Sequence, residues 1–383
     1  MTPLGWPQIF AQMAQALWPT WLALGLLIAL SLATRRHTGL YGKLFDSRIG
    51  TTGFALVMFW VFTALFASQI APFDPLAQLS GLKNKPPGSF DPNGSGAYLL
   101  GGDALARDVF SRMVAGSAAV LKIAPLATAI AFMVGIALGL PAGYFGGKLD
   151  AALTFIANLV LSFPVILLFY LLVTPEILAT GIPTTMAAIL FAVPLLLALV
   201  MINARFHTDP RLRAGLMAAA LIFGGWLYAG FAFNADPLGL ITLSPNELIV
   251  FVSVVFVNAP TVFRITRGLT LDISARDYVA AAQTRGEGPW YIMLWEILPN
   301  ARGPLIVDFC LRIGYTTILL GTLGFFGLGI SPESPNWGAT INAGSQLLSI
   351  YPHAAVVPAL ALMSLVLGLN LLADGLREES LRD

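Results

Sequence analysis

Leu126-Ala127-Thr128-Ala129-Ile130-Ala131-Phe132-Met133-Val134-Gly135-Ile136-Ala137-Leu138-Gly139-Leu140 is the stretch that sets the fold class. It lies inside an apolar run over 119–143, and about 20 such residues cross the hydrocarbon core of a bilayer as a helix. Comparable runs lie near 17–34, 50–70, 150–174, 184–203, 214–234, 247–263, 303–329 and 354–374, nine in all. Backbone polar groups in lipid must be satisfied within the segment, so these runs read as helices; the ten-residue alternation of a membrane barrel is missing. Composition agrees. Of 383 residues 11 % are charged and 57 % apolar, and the mean hydropathy is +0.79. Soluble domains carry about 25 % charge, which excludes an ordinary soluble enzyme and a disordered tail. A net charge of +1 argues against a nucleic-acid binder. The single Cys310 cannot form an internal disulfide, and His37, His207 and His353 are scattered, so neither a metal nor a proton relay is expected. Residues 1–16 lack Lys and Arg and do not read as a cleavable signal.

Charge placement orients the helices. With the N-terminus outside, the inner loops hold Arg35, Arg36, Lys43, Arg48 and Lys148, then Arg205, Arg211 and Arg213. Arg264, Arg267, Arg276, Arg285, Arg302, Arg377 and Arg382 follow, making 15 of the 21 cations. The outer loops hold Lys83, Lys85, Arg107, Arg112 and Lys122, and Arg312 falls within a span. Cations concentrate on the cytoplasmic side, so the chain reads as N-out and C-in.

Two hydrophilic stretches interrupt the spans. Residues 71–118, outside, are rich in Pro and Gly and read as a small loop domain. Residues 264–302, inside, are dense in charge. There Asp277-Tyr278-Val279-Ala280-Ala281-Ala282-Gln283-Thr284-Arg285-Gly286 reads as a short helix with a glycine stop. Gly288-Pro289 starts a second, amphipathic helix that Pro299 halts. Two short helices joined by glycine form a knob suited to a groove on a partner protein, or an ordinary interfacial loop. No phosphate-binding loop accompanies them: Gly147-Lys148 has Ala142 five places upstream and Leu149 after it, so it fails at both ends.

The knob resembles the EAA loop of ABC-importer permeases, with Ala281, Ala282, Gly286, Leu298 and Pro299 at the matching offsets. Ala280 stands where that family usually has Glu, and Glu296 where many relatives have Ile. Further matches are Ile70-Ala71-Pro72-Phe73-Asp74-Pro75, then Leu100-Gly101-Gly102-Asp103 leading to Arg107-Asp108-Val109-Phe110-Ser111-Arg112. Gly139-Leu140-Pro141-Ala142-Gly143-Tyr144-Phe145-Gly146-Gly147 and Phe325-Phe326-Gly327-Leu328-Gly329 followed by Pro335-Asn336-Trp337-Gly338 complete the set. Together they are similar to the dipeptide/oligopeptide/nickel permease family, in the subunit type with an external loop domain after its first core helix. The resemblance covers about 49–173 and 247–376.

The fold this implies is an all-α polytopic membrane protein: a type I importer core of six transmembrane helices plus about three extra ones. Residues 1–48 supply an extra N-terminal helix and cytoplasmic linker, 49–70 the first core helix and 71–118 a periplasmic loop domain. Core helices follow at 119–174, an inserted two-helix segment at 175–246, further core with the coupling loop 264–302 at 247–376, and a tail at 377–383. The function implied is that of an inner-membrane, multi-pass permease subunit of an ATP-driven importer for peptides or related small solutes. It is not itself an enzyme and holds no cofactor; ATP and Mg belong to two ATP-binding partner subunits. A second homologous permease and a periplasmic or extracellular solute-binding protein complete the implied assembly. Tyr278, Ala281, Ala282, Gly286, Leu298 and Pro299 are the candidate ATPase-coupling residues.

Other candidates rest on position. Asp308 and Arg312 lie four apart inside a span, as a polar lining of the translocation path, a gate latch or a structural pair. Trp337 reads as part of an external gate or an interfacial anchor. Arg107, Asp108 and Arg112 read as an external docking surface or a solvated helix. Gly321, Gly324, Gly327 and Gly329 suggest close packing on the second permease, ahead of a flexible gate. An ion-coupled carrier or a non-transporting scaffold are the rival functions; the carrier predicts inverted repeats and midplane ionisable residues.

Overall fold

The computed structural model describes residues 2–94, 96–239, 244–328 and 334–380, so Gly329 and Arg382 lie outside the described residues. Eight described helices are long and apolar enough to cross a membrane: Trp18–His37, Arg48–Leu65, Val109–Phe145, Ile182–Arg205, Pro210–Phe233, Asn246–Ser274, Arg302–Phe325 and His353–Glu379. The ninth expected span, 150–174, is a broken one. Gly147–Ser162 and Val165–Val173 meet at an 81° bend. The cause is Pro164, which lacks an N–H and pushes Phe163 out of the helical region, to φ −78° and ψ 133°. Local chemistry sets other boundaries. The Ser47 hydroxyl accepts from Gly50 N, Asp209 caps the helix that starts at Pro210, and Ser244 with Glu247 forms a capping box. An amphipathic helix not expected from the sequence, Trp6–Ala16, precedes the first span.

Contacts divide the chain into two units, residues 1–125 with 310–383, and residues 126–309. In the first unit, helix Arg48–Leu65 lies directly on the last helix. Gly53 faces the backbone of Leu371 and Leu372, Gly375 faces Gly50, and the Trp60 indole donates to Ser364 Oγ at 2.9 Å. The external region carries a two-stranded antiparallel sheet, Ser89–Phe90 with Ala97–Tyr98. Its polar centre is Asp103, whose carboxylate accepts from Leu105 N at 2.8 Å, Arg107 N at 2.9 Å and Arg107 Nε at 2.7 Å. Arg112 Nε lies 3.9 Å from the same carboxylate, and its guanidinium donates to the Pro75 carbonyl and to Thr340 Oγ1. Arg107, Asp108 and Arg112 are all buried.

These three residues are therefore not an external docking surface. Loop 71–108 folds over them, and the helix starts at Val109 rather than near 119 because Asp108 caps it, accepting from Ser111 N and Ser111 Oγ. Trp337 is corrected in the same way. It is fully buried, donates to the Met113 carbonyl at 2.8 Å and meets Trp60 edge-on at 5.1 Å, so it anchors the unit and does not form an exposed gate. Two of the glycines expected at a permease interface are filled from within the chain. Gly338 backbone packs on Gly321, and Asn336 reaches Gly324.

Burial pushes the Asp108 carboxyl up to about 6 from 3.8, although Ser111 and the amides at Ser111 and Phe110 favour its anion. One of its oxygens, Oδ1, has no hydrogen-bond partner. The folded chain keeps this proton at pH values where the unfolded chain has released it. Protonation thus stabilises the external region, with the gain complete below about pH 4 and lost as pH rises through 6, on the order of 2–3 kcal/mol in all. Thermal unfolding of the purified protein should shift upward on going from pH 7.5 to 5, and Asp108→Asn should flatten that shift.

In the second unit the small residues Gly135, Gly139 and Gly143, one turn apart, face Val262, Thr266 and Thr270 on the helix Pro245–Ser274. Small residues at this spacing let helix backbones approach closely in lipid, where packing replaces the hydrophobic effect. A Cβ on Gly139 would lie 2.7 Å from Thr266 Cβ and 2.9 Å from the Phe263 carbonyl oxygen. Backbone cannot yield there, so Gly139→Leu should cost about 1–3 kcal/mol or more and lower thermal stability in detergent. Gly268→Ala, on the facing helix with open space around it, is the neutral control.

Ile182–Arg205 and Pro210–Phe233 form the inserted hairpin, which joins this unit through a Phe191, Phe231 and Phe251 cluster with ring centroids 5.5–6.0 Å apart. Its other faces expose large apolar side chains such as Leu196, Leu221 and Ile222, as a helix bathed in lipid does.

Candidate coupling site on the cytoplasmic face

The helix Pro245–Ser274 extends eleven residues beyond the apolar run before the knob begins. Asp277–Thr284 is the expected short helix, and Gly286 closes it at φ +81°. Glu287 N donates to the Ala282 carbonyl and Gly286 N to the Gln283 carbonyl, at 3.3 and 3.0 Å, the paired bonds that satisfy a helix end when the next residue is left-handed. The second segment differs from the expected single helix. It consists of Pro289–Tyr291, a π-helical run Ile292–Ile297 and Leu298–Asn300, and Pro299 lies inside it without halting the chain's helical path.

The two segments share one apolar anchor. Val279 and Ala282 from the first, and Ile292, Met293, Leu294 and Ile297 from the second, belong to a buried cluster with Leu140, Val262 and Ile273. At about 25 cal/mol per Å² of apolar area, burying six such side chains ties the knob firmly to the span it continues. Polar bonds complete the attachment. Gln283 Nε2 donates to Tyr144 OH at 3.2 Å, and Arg285 pairs with Glu296 at 2.9 Å across the Gly286 turn. The two departures from the family pattern thus have different fates: Glu296 is held by Arg285, whereas Ala280 lies exposed.

Of the residues singled out from the sequence, Tyr278, Ala281, Gly286 and Pro299 are exposed. Leu298 is half-buried, and Ala282 is fully buried and points into the anchor. Asp308 and Arg312 are both half-buried on the helix Arg302–Phe325. Sequence reasoning missed Arg205. Its guanidinium donates to Tyr291 OH at 3.3 Å and lies 5.1 Å from the Trp295 ring centroid, so the inserted hairpin touches the knob. No local signal links residues 86 positions apart.

Apolar helices of membrane-spanning length carrying a packed two-segment knob define an integral membrane protein. Residues 135–378 match the family described as binding-protein-dependent transport system inner membrane component, and the chain belongs to that family. Among curated relatives, a glutathione transport system permease protein of Pectobacterium atrosepticum is 29 % identical over 74 % of this chain and 72 % of its own length. A dipeptide transport system permease protein of Haemophilus influenzae is 26 % identical over 87 % of this chain and 90 % of its own. A probable D,D-dipeptide transport system permease protein of Escherichia coli is 27 % identical over 87 % of both. The chain is thus an inner-membrane permease of an ABC-type importer, and ATP hydrolysis resides in other subunits.

Proposed function

We propose that this permease imports peptides or related small solutes, in a complex with a second homologous permease, two ATP-binding subunits and an external solute-binding protein. The cargo class rests on relatives named for glutathione and dipeptide transport. The observation that carries the coupling role is the two-faced knob. Val279 and Ala282 lock it to the core, while Tyr278 and Ala281 face outward, open to a partner groove, and Arg285 is exposed beside its partner Glu296. ATP binding closes the paired ATPases, the knob moves with them as a lever, and its apolar anchor passes the displacement to the spans, switching inward- and outward-open states. ATP and Mg bind in those partners. Asp308 and Arg312 are the candidate polar lining of the path, since ionisable groups within spans are costly unless used or paired.

Ala281→Cys should cross-link to an ATPase subunit when the complex is isolated from its native membrane, and cargo uptake into vesicles should require ATP inside. Uptake that continues on an ion gradient with no ATPase present would favour a secondary carrier and overturn the reading.

A further inference from the structure

Where the inserted hairpin meets the knob, a groove of about 490 Å³ opens in the second unit. One wall is the hairpin, with Leu196, Leu199, Val200 and Met217; the other is the turn Gly288–Tyr291 at the start of the second knob segment. The groove is apolar along the helix axis and polar at its cytoplasmic end, where Asn203 and His207 line it.

Cations gather at that end. Arg213 Nη1 donates to Asn203 Oδ1 at 3.5 Å, and Arg205 Nη1 to Tyr291 OH at 3.3 Å, so both guanidinium groups hang on residues of the lining. The carboxylates nearby in the chain are Asp209, which caps the second hairpin helix through Leu212 N, Glu287 beside Gly288, and Glu296, which Arg285 holds. Two arginines bond to lining residues and no carboxylate is part of the lining, which leaves the polar end positive.

An apolar trough with a positive end at the inner face matches one kind of molecule: an amphiphile with a long apolar part and an anionic headgroup. The inner leaflet supplies such molecules, and its negative surface potential concentrates them against juxtamembrane Lys and Arg. We propose that this groove is a binding site for an anionic phospholipid, its acyl chain along Leu196, Leu199 and Val200 and its phosphate against Arg205 and Arg213.

The test uses the full-length chain, purified in mild detergent and delipidated stepwise, with bound lipid read by native mass spectrometry. Phosphatidylglycerol and phosphatidylcholine of identical chains are the probes, and no ATP or transport enters the readout, so the result is independent of the importer reading. Phosphatidylglycerol should be retained about tenfold or more over phosphatidylcholine, and the double variant R205A/R213A should erase the difference. Leu199→Trp, which fills the trough without touching charge, should lower retention of phosphatidylglycerol with thermal stability unchanged. Free inorganic phosphate should not displace the lipid. Equal retention of the two lipids, indifference to both variants, displacement by phosphate alone, or a partner segment cross-linked in the groove of the native complex would overturn the proposal.

Discussion

Gly286→Val is expected to abolish association with the ATPase subunits and to reduce uptake to background, with the chain still present in the membrane. No heavy atom lies within 4 Å of a Cβ built at this position, so the substitution meets no steric barrier from its neighbours. The barrier is conformational. At φ +81° an L-residue sits in the left-handed region, which costs about 1–2 kcal/mol, and more for a β-branched side chain. Relaxing φ would break the bonds from Gly286 N and Glu287 N to the helix end and swing Arg285 away from Glu296. The outward face of Asp277–Thr284 then no longer has a fixed relation to the Ile292–Ile297 anchor. A graded series separates this from simple loss of a small residue: Gly286→Asn, tolerant of the left-handed region, should retain most activity, and Gly286→Ala should fall between. Co-purification of the ATPase with each variant, alongside uptake, checks the order. Full association with the Val variant would sink the role assigned to the turn.

Asp103→Ala should be the most destabilising single change in the external region. Its carboxylate is nearly buried and serves Leu105 N, Arg107 N, Arg107 Nε and the Arg112 guanidinium together. Removing it leaves two buried arginines without their anion, a loss of about 3–5 kcal/mol for a broken buried pair. It also frees the Ala106 turn, held at φ +62° by Tyr98 OH and Leu79 N, both donating to the Ala106 carbonyl. Burial and the nearby Asp108 push the Tyr98 phenol up to about 12, so it remains a donor throughout the working pH range. Asp103→Asn keeps an acceptor for the two amides and should cost less. The measurements are the melting temperature in detergent and the steady-state membrane level, with exposed Lys83→Ala as the neutral comparison. An unchanged melting temperature for Asp103→Ala would show that the cluster carries no stability.

Several features were legible in the chain because they depend on neighbours in sequence. Hydrophobic length gave the spans, and Ala281, Ala282 and Gly286 marked the knob and its stop. The Pro164 break could have been read from the residue type, yet its 81° bend could not, since proline inside a span is often accommodated with a mild kink.

Charge burial was decided elsewhere. Arg107, Asp108 and Arg112 look solvated in sequence, and only the folding of loop 71–108 and the approach of Thr340, 228 positions from Arg112, puts them inside. Trp337 changes from a surface aromatic to a core anchor through Met113, 224 positions away. Arg285 with Glu296, and Arg205 with Tyr291 and Trp295, likewise meet only after the turn and the hairpin are formed. The sequence by itself determined which segments are long and apolar enough to cross a bilayer and where the short helix Asp277–Thr284 ends. Tertiary structure alone decided which charged and aromatic groups stay exposed and which are buried and hold the protein together. The physical reason is range: transfer into lipid and the stop of a helix are local free energies, whereas the solvation of a side chain depends on whatever distant chain comes to cover it.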